Sequence, residues 1–388
     1  MGLSLFKPHL PHPMRNFALE VYFSKWEFAA KYHLTASDAQ SMSLAQLPDY
    51  ASPKDRERFS NLHLGYTETF GSKTLLQEIA GTYDAIAPRN LLCFAGAEEA
   101  IYVAMKALLG TEDHCIVIAP NYQAAETIPL SVCDVSSVPL DEDDHWSLDP
   151  DAVMAALRPN TKLISINFLN NPTGAIPSKA IFQGLVNLCR ERGIWLFSDE
   201  VYRLIERDPE SRLPQAADAY ERGISLNGMS KAYGLPGLRI GWLACQNREF
   251  LAQCERYKHF LSICNSGPSE MLAEIALKAR EQILERNRKI TRHNLGLLDT
   301  FFADFPDLFD WREPDGSCVA FIGYKGEDGV EAFAERLVEE TGVLLLPSSI
   351  YRSELAQVPA DYFRIGFGRS HMEEGLTVLR SWLMENRR

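Results

Sequence analysis

The sequence predicts an α/β protein of two closely packed domains, the larger built on a mostly parallel sheet and the smaller of α+β type. Three observations carry this. A chain of 388 residues is too long for one small core and suits two domains. Between residues 90 and 245 short apolar runs alternate with stretches of helical periodicity, the pattern of a parallel sheet covered by crossover helices. Beyond about residue 290, short apolar runs and helices mix without that alternation.

Bulk properties narrow the function classes. With 39 basic against 52 acidic residues the net charge is −13, so the average field repels nucleic acid and anionic membrane, and an anionic cofactor needs local positive groups. The eight cysteines form no CxxC pair and fall mostly in apolar runs, which reads as reduced core thiols in a cytoplasmic protein without a metal site. No apolar run reaches about 18 residues, and the first residues lack a signal-peptide pattern, so no membrane role is expected.

Taken in order, residues 1–13 hold three prolines with His9 and His12, and read as a loose arm rather than a metal site. Residues 16–34 are amphipathic, with Phe17, Val21, Tyr22 and Trp26 on the apolar face, and read as a docking helix. The run Leu64-Gly65-Tyr66-Thr67-Glu68-Thr69-Phe70-Gly71 precedes a helix over 72–83 with Ser72 as N-cap. A strand over 90–94 enters Gly96-Ala97-Glu98 and a helix stopped by Gly110; a glycine turn feeding a helix N-terminus offers free N–H groups and a dipole to an anion. A strand over 115–119 ends at Pro120-Asn121-Tyr122, and after a helix over 146–157 a strand over 162–168 runs into Asn170-Asn171-Pro172-Thr173-Gly174. A helix over 179–192 ends at Gly193, and the strand over 194–197 leads to Ser198-Asp199-Glu200-Val201-Tyr202. A carboxylate closing a buried apolar strand is costly unless it is paired.

The stretch over 228–242, Gly-Met-Ser-Lys-Ala-Tyr-Gly-Leu-Pro-Gly-Leu-Arg-Ile-Gly-Trp, lies between apolar runs over 223–226 and 239–245. There the amine of Lys231 is desolvated, which suits a Schiff-base nucleophile, and the planar fork of Arg239 suits a phosphate. Helical periodicity over 250–290 breaks at 265–268, a domain junction. Arg364 falls on a final strand over 363–367. There is no G-x-G-x-x-G, no Walker loop, no H-E-x-x-H and no internal repeat, so the nicotinamide-dehydrogenase alternative lacks its phosphate loop.

Those fifteen residues closely resemble the lysine motif of the class I/II aminotransferases, fold-type I enzymes that use pyridoxal 5'-phosphate (PLP). Tyr66, Gly96, Tyr122, Asn171, Asp199, Tyr202, Lys231, Arg239 and Arg364 follow that family's order over roughly residues 60–370. The resemblance implies an aspartate aminotransferase-like fold: a large PLP-binding domain over 51–285 with a mixed, mostly parallel seven-stranded sheet, and a small α+β domain over 286–388. Residues 1–50 then supply an arm and part of the small domain. It implies a homodimer with shared active sites, in which Tyr66 serves the phosphate bound by the other subunit. Lys231 would hold PLP as a Schiff base and then act as base at the substrate Cα, while Asp199 keeps the pyridine nitrogen protonated. Asn171 and Tyr202 would share the ring oxygen, Tyr122 would stack on the ring, and the Gly96-Ala97-Glu98 turn, Ser230 and Arg239 would hold the phosphate. Arg364 would take the substrate carboxylate. The sequence departs from the family at Gly228, where many members carry a phosphate-binding serine.

Within the family, the run over 230–239, the Leu19-Glu20 segment and Arg364-Ile365-Gly366-Phe367-Gly368 look most like the branch of capreomycidine synthase-type hydroxyarginine cyclases. That implies dehydration and cyclisation of a hydroxyarginine to a cyclic guanidino amino acid of capreomycidine or enduracididine type, with amino transfer to a 2-oxo acid as the alternative. Glu20, with Glu27 and Asp38, is the candidate to grip a guanidinium. A non-enzymatic regulator would need an N-terminal winged-helix domain, for which residues 1–64 are too few and insufficiently basic.

Overall fold

The computed structural model of the chain describes residues 13–386, so His9, His12 and nearly all of the N-terminal arm lie outside the described residues. The chain enters through α1 (Ala18–Trp26), β1 (Tyr32–His33), α2 (Pro53–Ser60) and α3 (Lys73–Ala80). The large domain continues with β2 (Leu91–Phe94), α4 (Ala97–Leu108), β3 (His114–Ala119), α5 (Ala124–Leu130), β4 (Asp134–Pro139), α6 (Pro150–Ala156) and β5 (Thr161–Asn167). It closes with α7 (Lys179–Arg192), β6 (Trp195–Asp199), α8 (Ala216–Ala219), β7 (Gly223–Gly228), β8 (Gly241–Cys245), α9 (Arg248–Lys258) and α10 (Gly267–Lys278). The long α11 (Arg280–Ala303) leads to β9 (Phe309–Asp310), β10 (Val319–Tyr324), α12 (Gly329–Thr341), β11 (Val343–Leu344), β12 (Leu346–Pro347), β13 (Tyr362–Gly366) and α13 (Met372–Asn386).

The large sheet has seven strands in the order β2-β8-β7-β6-β5-β3-β4, all running the same way except β8, which pairs antiparallel with β2 and β7. Helices cover both faces, which is why β2, β3 and β7 are buried along their whole length and read as continuous apolar runs. The connecting helices are set locally. In α7 Ser178 accepts a hydrogen bond from the Ile181 N–H, Gly193 ends the helix in the left-handed region at φ 66°, and Phe182, Leu185, Val186 and Cys189 form the buried stripe. The small domain adds an antiparallel sheet of order β12-β13-β10-β9 and the parallel pair β1-β11.

Three local expectations shift. The amphipathic segment over 16–34 is helical only through Trp26, because residues 32–33 pair with Val343 and Leu344 at the edge of the small domain. The helix expected over 146–157 starts at Pro150, behind the Asp149 cap; Trp146 precedes it at φ 59° and is buried. The break over 265–268 lies inside one apolar core, with Leu251 and Cys254 on one side and Met271 to Leu277 on the other. It is α11 that passes from that core, at Ile283 and Leu284, into a second one at Leu295 and Leu298. Seven of the eight cysteines are buried and all are free thiols. Among the described residues no helix is long and apolar enough to cross a membrane, and no metal-binding cluster occurs.

Candidate active site

The parallel strands end on one side of the sheet, and the candidate residues follow those ends. β5 and β6 finish in register, Asn167 beside Asp199, and Asp199 pairs in turn with Leu226 of β7. Asn167 ties the ends together, donating to the Asp199 carbonyl at 3.1 Å and accepting from the Asn171 N–H at 2.8 Å. Beyond these ends lies a cavity of about 420 Å³ lined by Ala97, Glu98, Tyr122, Asn171, Asp199, Tyr202, Ser230, Lys231 and Arg239. This is where parallel α/β sheets place their ligands.

One end of the cavity is built for an anion. Gly96 caps α4 at φ 100° and offers no side chain to its free N–H groups. A Cβ on Gly96 would stand 2.3 Å from an Arg239 guanidinium nitrogen, so the guanidinium lies directly against the turn. Gly241 makes the same allowance on the sheet side, where a Cβ would stand 2.6 Å from the Ala97 nitrogen. Helix N-terminus, guanidinium and the Ser230 hydroxyl thus form a cradle that fits a phosphate. The departure at Gly228 also has a physical reason: it pairs with Gly241 across β7 and β8, and a side chain there would press its Cβ to 3.0 Å from the Ile240 carbonyl.

The middle and the far end carry groups of altered acidity. Burial lowers the Lys231 amine from its ordinary value, and the Arg364 charge adds to this against the pull of Asp38 and Asp199; its Nζ donates to Ser37 Oγ at 2.7 Å. Asp199 is pushed up to about 6 by desolvation, opposed by the Val201 N–H and the Lys231 charge. A buried carboxylate so raised fits a partner that carries a positive charge. The Tyr202 hydroxyl donates to the Ser37 carbonyl at 2.8 Å, so Ser37 holds both Lys231 and Tyr202.

Arg364 is fully buried and does not itself line the cavity; it is joined to the lining through Asn171. It donates to Asn171 Oδ1 at 3.1 Å, to the Tyr351 hydroxyl at 2.6 Å and to the Thr35 carbonyl at 2.7 Å, and its Nε has no partner. Because Arg364 only donates, Asn171 must turn its oxygen to it, which frees the Asn171 amide nitrogen as a donor in the cavity wall.

The open side is acidic. Glu20 reaches it from α1, Glu27 from the C-cap of that helix, Asp38 from a loop after β1, and Glu98 from α4; His33 and Arg369 line it as well. Asp38 is paired with Arg369 through bonds of 2.9 and 3.2 Å. Glu20 and Glu27 form no ion pair with any described residue, and Glu27 is raised by desolvation and then by the Glu20 charge. Glu98 is pushed to about 7 by desolvation, opposed by a hydrogen bond from Tyr122. Ser37, His33, Asn167 and Arg369 carry no motif in the sequence. Tyr66 is not brought to this cavity: it is 94% exposed.

The chain is similar to known proteins. Residues 38–380 match the family model of aminotransferase class I and II. The arginine–pyruvate transaminase of Pseudomonas aeruginosa is 29% identical over 78% of this chain and 80% of its own length. The capreomycidine synthase of Streptomyces vinaceus is 25% identical over 95% of this chain and 94% of its own. Among solved structures, a PLP-dependent aminotransferase from Streptococcus suis 89-1591 superposes with a TM-score of 0.90 at 29% identity, covering 97% of this chain and 100% of that one.

Proposed function

The chain belongs to the class I and II aminotransferases and is a PLP-dependent enzyme, and from that premise we propose that it dehydrates and cyclises a hydroxyarginine to a cyclic guanidino amino acid. The observation that carries the choice of a cationic substrate is the pair Glu20 and Glu27, two carboxylates lining the cavity that form no ion pair among the described residues; Arg369 acts on Glu27 only from a distance and is itself paired with Asp38. A guanidinium side chain supplies the missing charge and five donors. The full-length similarity to capreomycidine synthase supports ring closure, and the name of the Pseudomonas relative supports an arginine-type side chain.

PLP, when bound, supplies an electron sink that stabilises negative charge developing at the substrate Cα. The remaining chemistry belongs to the chain. Gly96, Ala97, Glu98 through its backbone, Ser230 and Arg239 would hold the phosphate. Asp199 would hold a proton on the ring nitrogen, the Asn171 amide and Tyr202 hydroxyl would be the donors for the ring oxygen, and Tyr122 would stack on the ring. Lys231, whose amine burial keeps neutral more readily, would be the residue that holds the cofactor and, once free, the base that takes the substrate Cα proton. Arg364 receives the substrate carboxylate. With a hydroxyl at Cβ, loss of the Cα proton is followed by departure of hydroxide, which leaves as water after taking a proton, and a carbon–carbon double bond forms. A hydroxyl at Cγ requires removal of a Cβ proton as well. A guanidino nitrogen then adds to the double bond and its proton returns to carbon, a step favoured by being intramolecular.

The second reading is transfer of the amino group to a 2-oxo acid, which the resemblance to arginine–pyruvate transaminase favours. We further propose a cytoplasmic homodimer in which Tyr66 completes the phosphate site of the other subunit; the neighbouring exposed Leu64 and the exposed Phe260 support such a contact. The test incubates enzyme and PLP with arginine, β-hydroxyarginine and γ-hydroxyarginine, with and without a keto acid. Loss of water with retention of the amino group, independent of keto acid, is the expected result. A 2-oxo acid formed only with keto acid present establishes amino transfer instead.

A further inference from the structure

Helix α1, which carries Glu20 and is followed at its C-cap by Glu27, has only 9 residues and no side-chain cap at its start. A helix so short does not stand alone in water and has to be placed by its contacts. Its start is fastened to the beginning of α5: the Ala18 N–H donates to Gln123 Oε1 and Gln123 Nε2 donates to the Asn16 carbonyl, each at 2.8 Å. One residue earlier, Arg15 spends its whole guanidinium on anchoring. Its Nη2 meets Glu126 Oε1 at 3.2 Å, its Nη1 donates to the Arg352 carbonyl at 3.0 Å, and its Nε lies 3.0 Å from both Thr127 Oγ1 and Glu354 Oε1. Glu126 itself has no exposed surface and also accepts from the Ser353 hydroxyl at 2.6 Å and the Glu354 N–H at 2.9 Å. Three segments distant in sequence thus meet at one buried carboxylate: the N-terminal strap, α5 of the large domain, and the loop after Tyr351. None of these groups lines the cavity, while Glu20 and Glu27 five and twelve residues on do.

We propose that Arg15 and Glu126 form a latch that fixes α1 across the cavity mouth and thereby sets the preference for cationic side chains. They are positioning residues acting through Glu20 and Glu27, and the inference rests on the substrate reading above. A latch of this kind separates selection from chemistry. Releasing it lets the carboxylates drift from the place where a guanidinium sits, and leaves the phosphate cradle, Asp199 and Lys231 untouched.

The test uses full-length enzyme loaded with PLP and the variants Arg15→Met, which keeps the stem but removes all donors, and Arg15→Lys, which keeps the charge. Hydrogen exchange of the amides over 16–27 is expected to quicken about tenfold in Arg15→Met, with the absorbance of the bound cofactor unchanged. The preference for arginine over norleucine, read from the amino-acid concentration that half-saturates the spectral change, is expected to fall about tenfold, and Arg15→Lys to restore part of both. Unchanged exchange, or equal losses for the two amino acids, overturns the latch. Absence of a preference in the unmodified enzyme refutes the substrate reading, while the exchange rates still decide whether Arg15 holds α1.

Discussion

The two ends of the cavity are built by different rules. The cofactor end comes from strand ends and tight turns of one domain: Gly96 against Arg239, Gly228 against Gly241, Asn167 beside Asp199. Each contact is between backbone or between residues locked to backbone, so small changes of side chain are not accommodated. The substrate end is assembled from α1, the loop bearing Asp38, the start of α4, and Arg369 near the C-terminus. Apart from the buried Asp38 its side chains are long and at least partly exposed, so it can be retuned without disturbing the chemistry. One scaffold that holds PLP can in this way serve different amino acids.

That contrast predicts how variants divide. The largest effect is expected for Asp199→Asn, which keeps shape but removes the charge proposed to face the ring nitrogen. Exchange of the Cα proton with solvent should fall by on the order of 10³ for arginine and norleucine alike, as for loss of a preorganised electrostatic partner. A loss confined to one amino acid would break the division. Gly96→Ala comes next, because its Cβ would overlap the Arg239 guanidinium and the turn sits at φ 100°. Cofactor affinity, followed by absorbance during dialysis, should drop by about 10²-fold with substrate preference retained.

At the other end, Glu20→Gln should raise the half-saturating concentration of arginine by about tenfold and leave that of norleucine unchanged. Parallel changes for both amino acids would show that α1 acts as a general cover. The smallest effect is thermodynamic. In the cofactor-free protein Asp199 has a folded pKa near 6, above the ordinary carboxylate value of 3.8, so its ionised form costs stability above pH 6 and nothing below about pH 4. Asp199→Asn should therefore be the more stable protein at pH 7 by on the order of 2 kcal/mol, with the advantage fading as pH falls toward 4. Denaturant midpoints of the two proteins across that range measure it, and a constant difference would contradict the assigned burial.

The same contrast explains what the sequence revealed. The residues gathered at the proposed cofactor end were legible because their physics is local: a lysine in a glycine turn between apolar runs, a carboxylate closing a strand, a glycine opening a helix. The sheet was legible for the same reason, except at β4, whose Asp-Val-Ser-Ser-Val-Pro reads as a polar edge rather than a buried strand. β1 was hidden inside an amphipathic stretch, because only the distant Val343 and Leu344 give residues 32–33 their partner. His33, Ser37 and Arg369 escaped notice since nothing nearby in sequence marks them; folding alone brings them to Glu27, Lys231 and Asp38. The three acidic candidates, Glu20, Glu27 and Asp38, do reach the cavity, but Asp38 is already committed to Arg369.

The account stands on Lys231 being the point of attachment from which both ends are measured. Borohydride reduction of the loaded enzyme, followed by proteolysis and peptide mapping by mass, tests this directly. The account predicts a single pyridoxyl label on the peptide containing Lys231. A label on any other lysine, the buried Lys258 included, would contradict it.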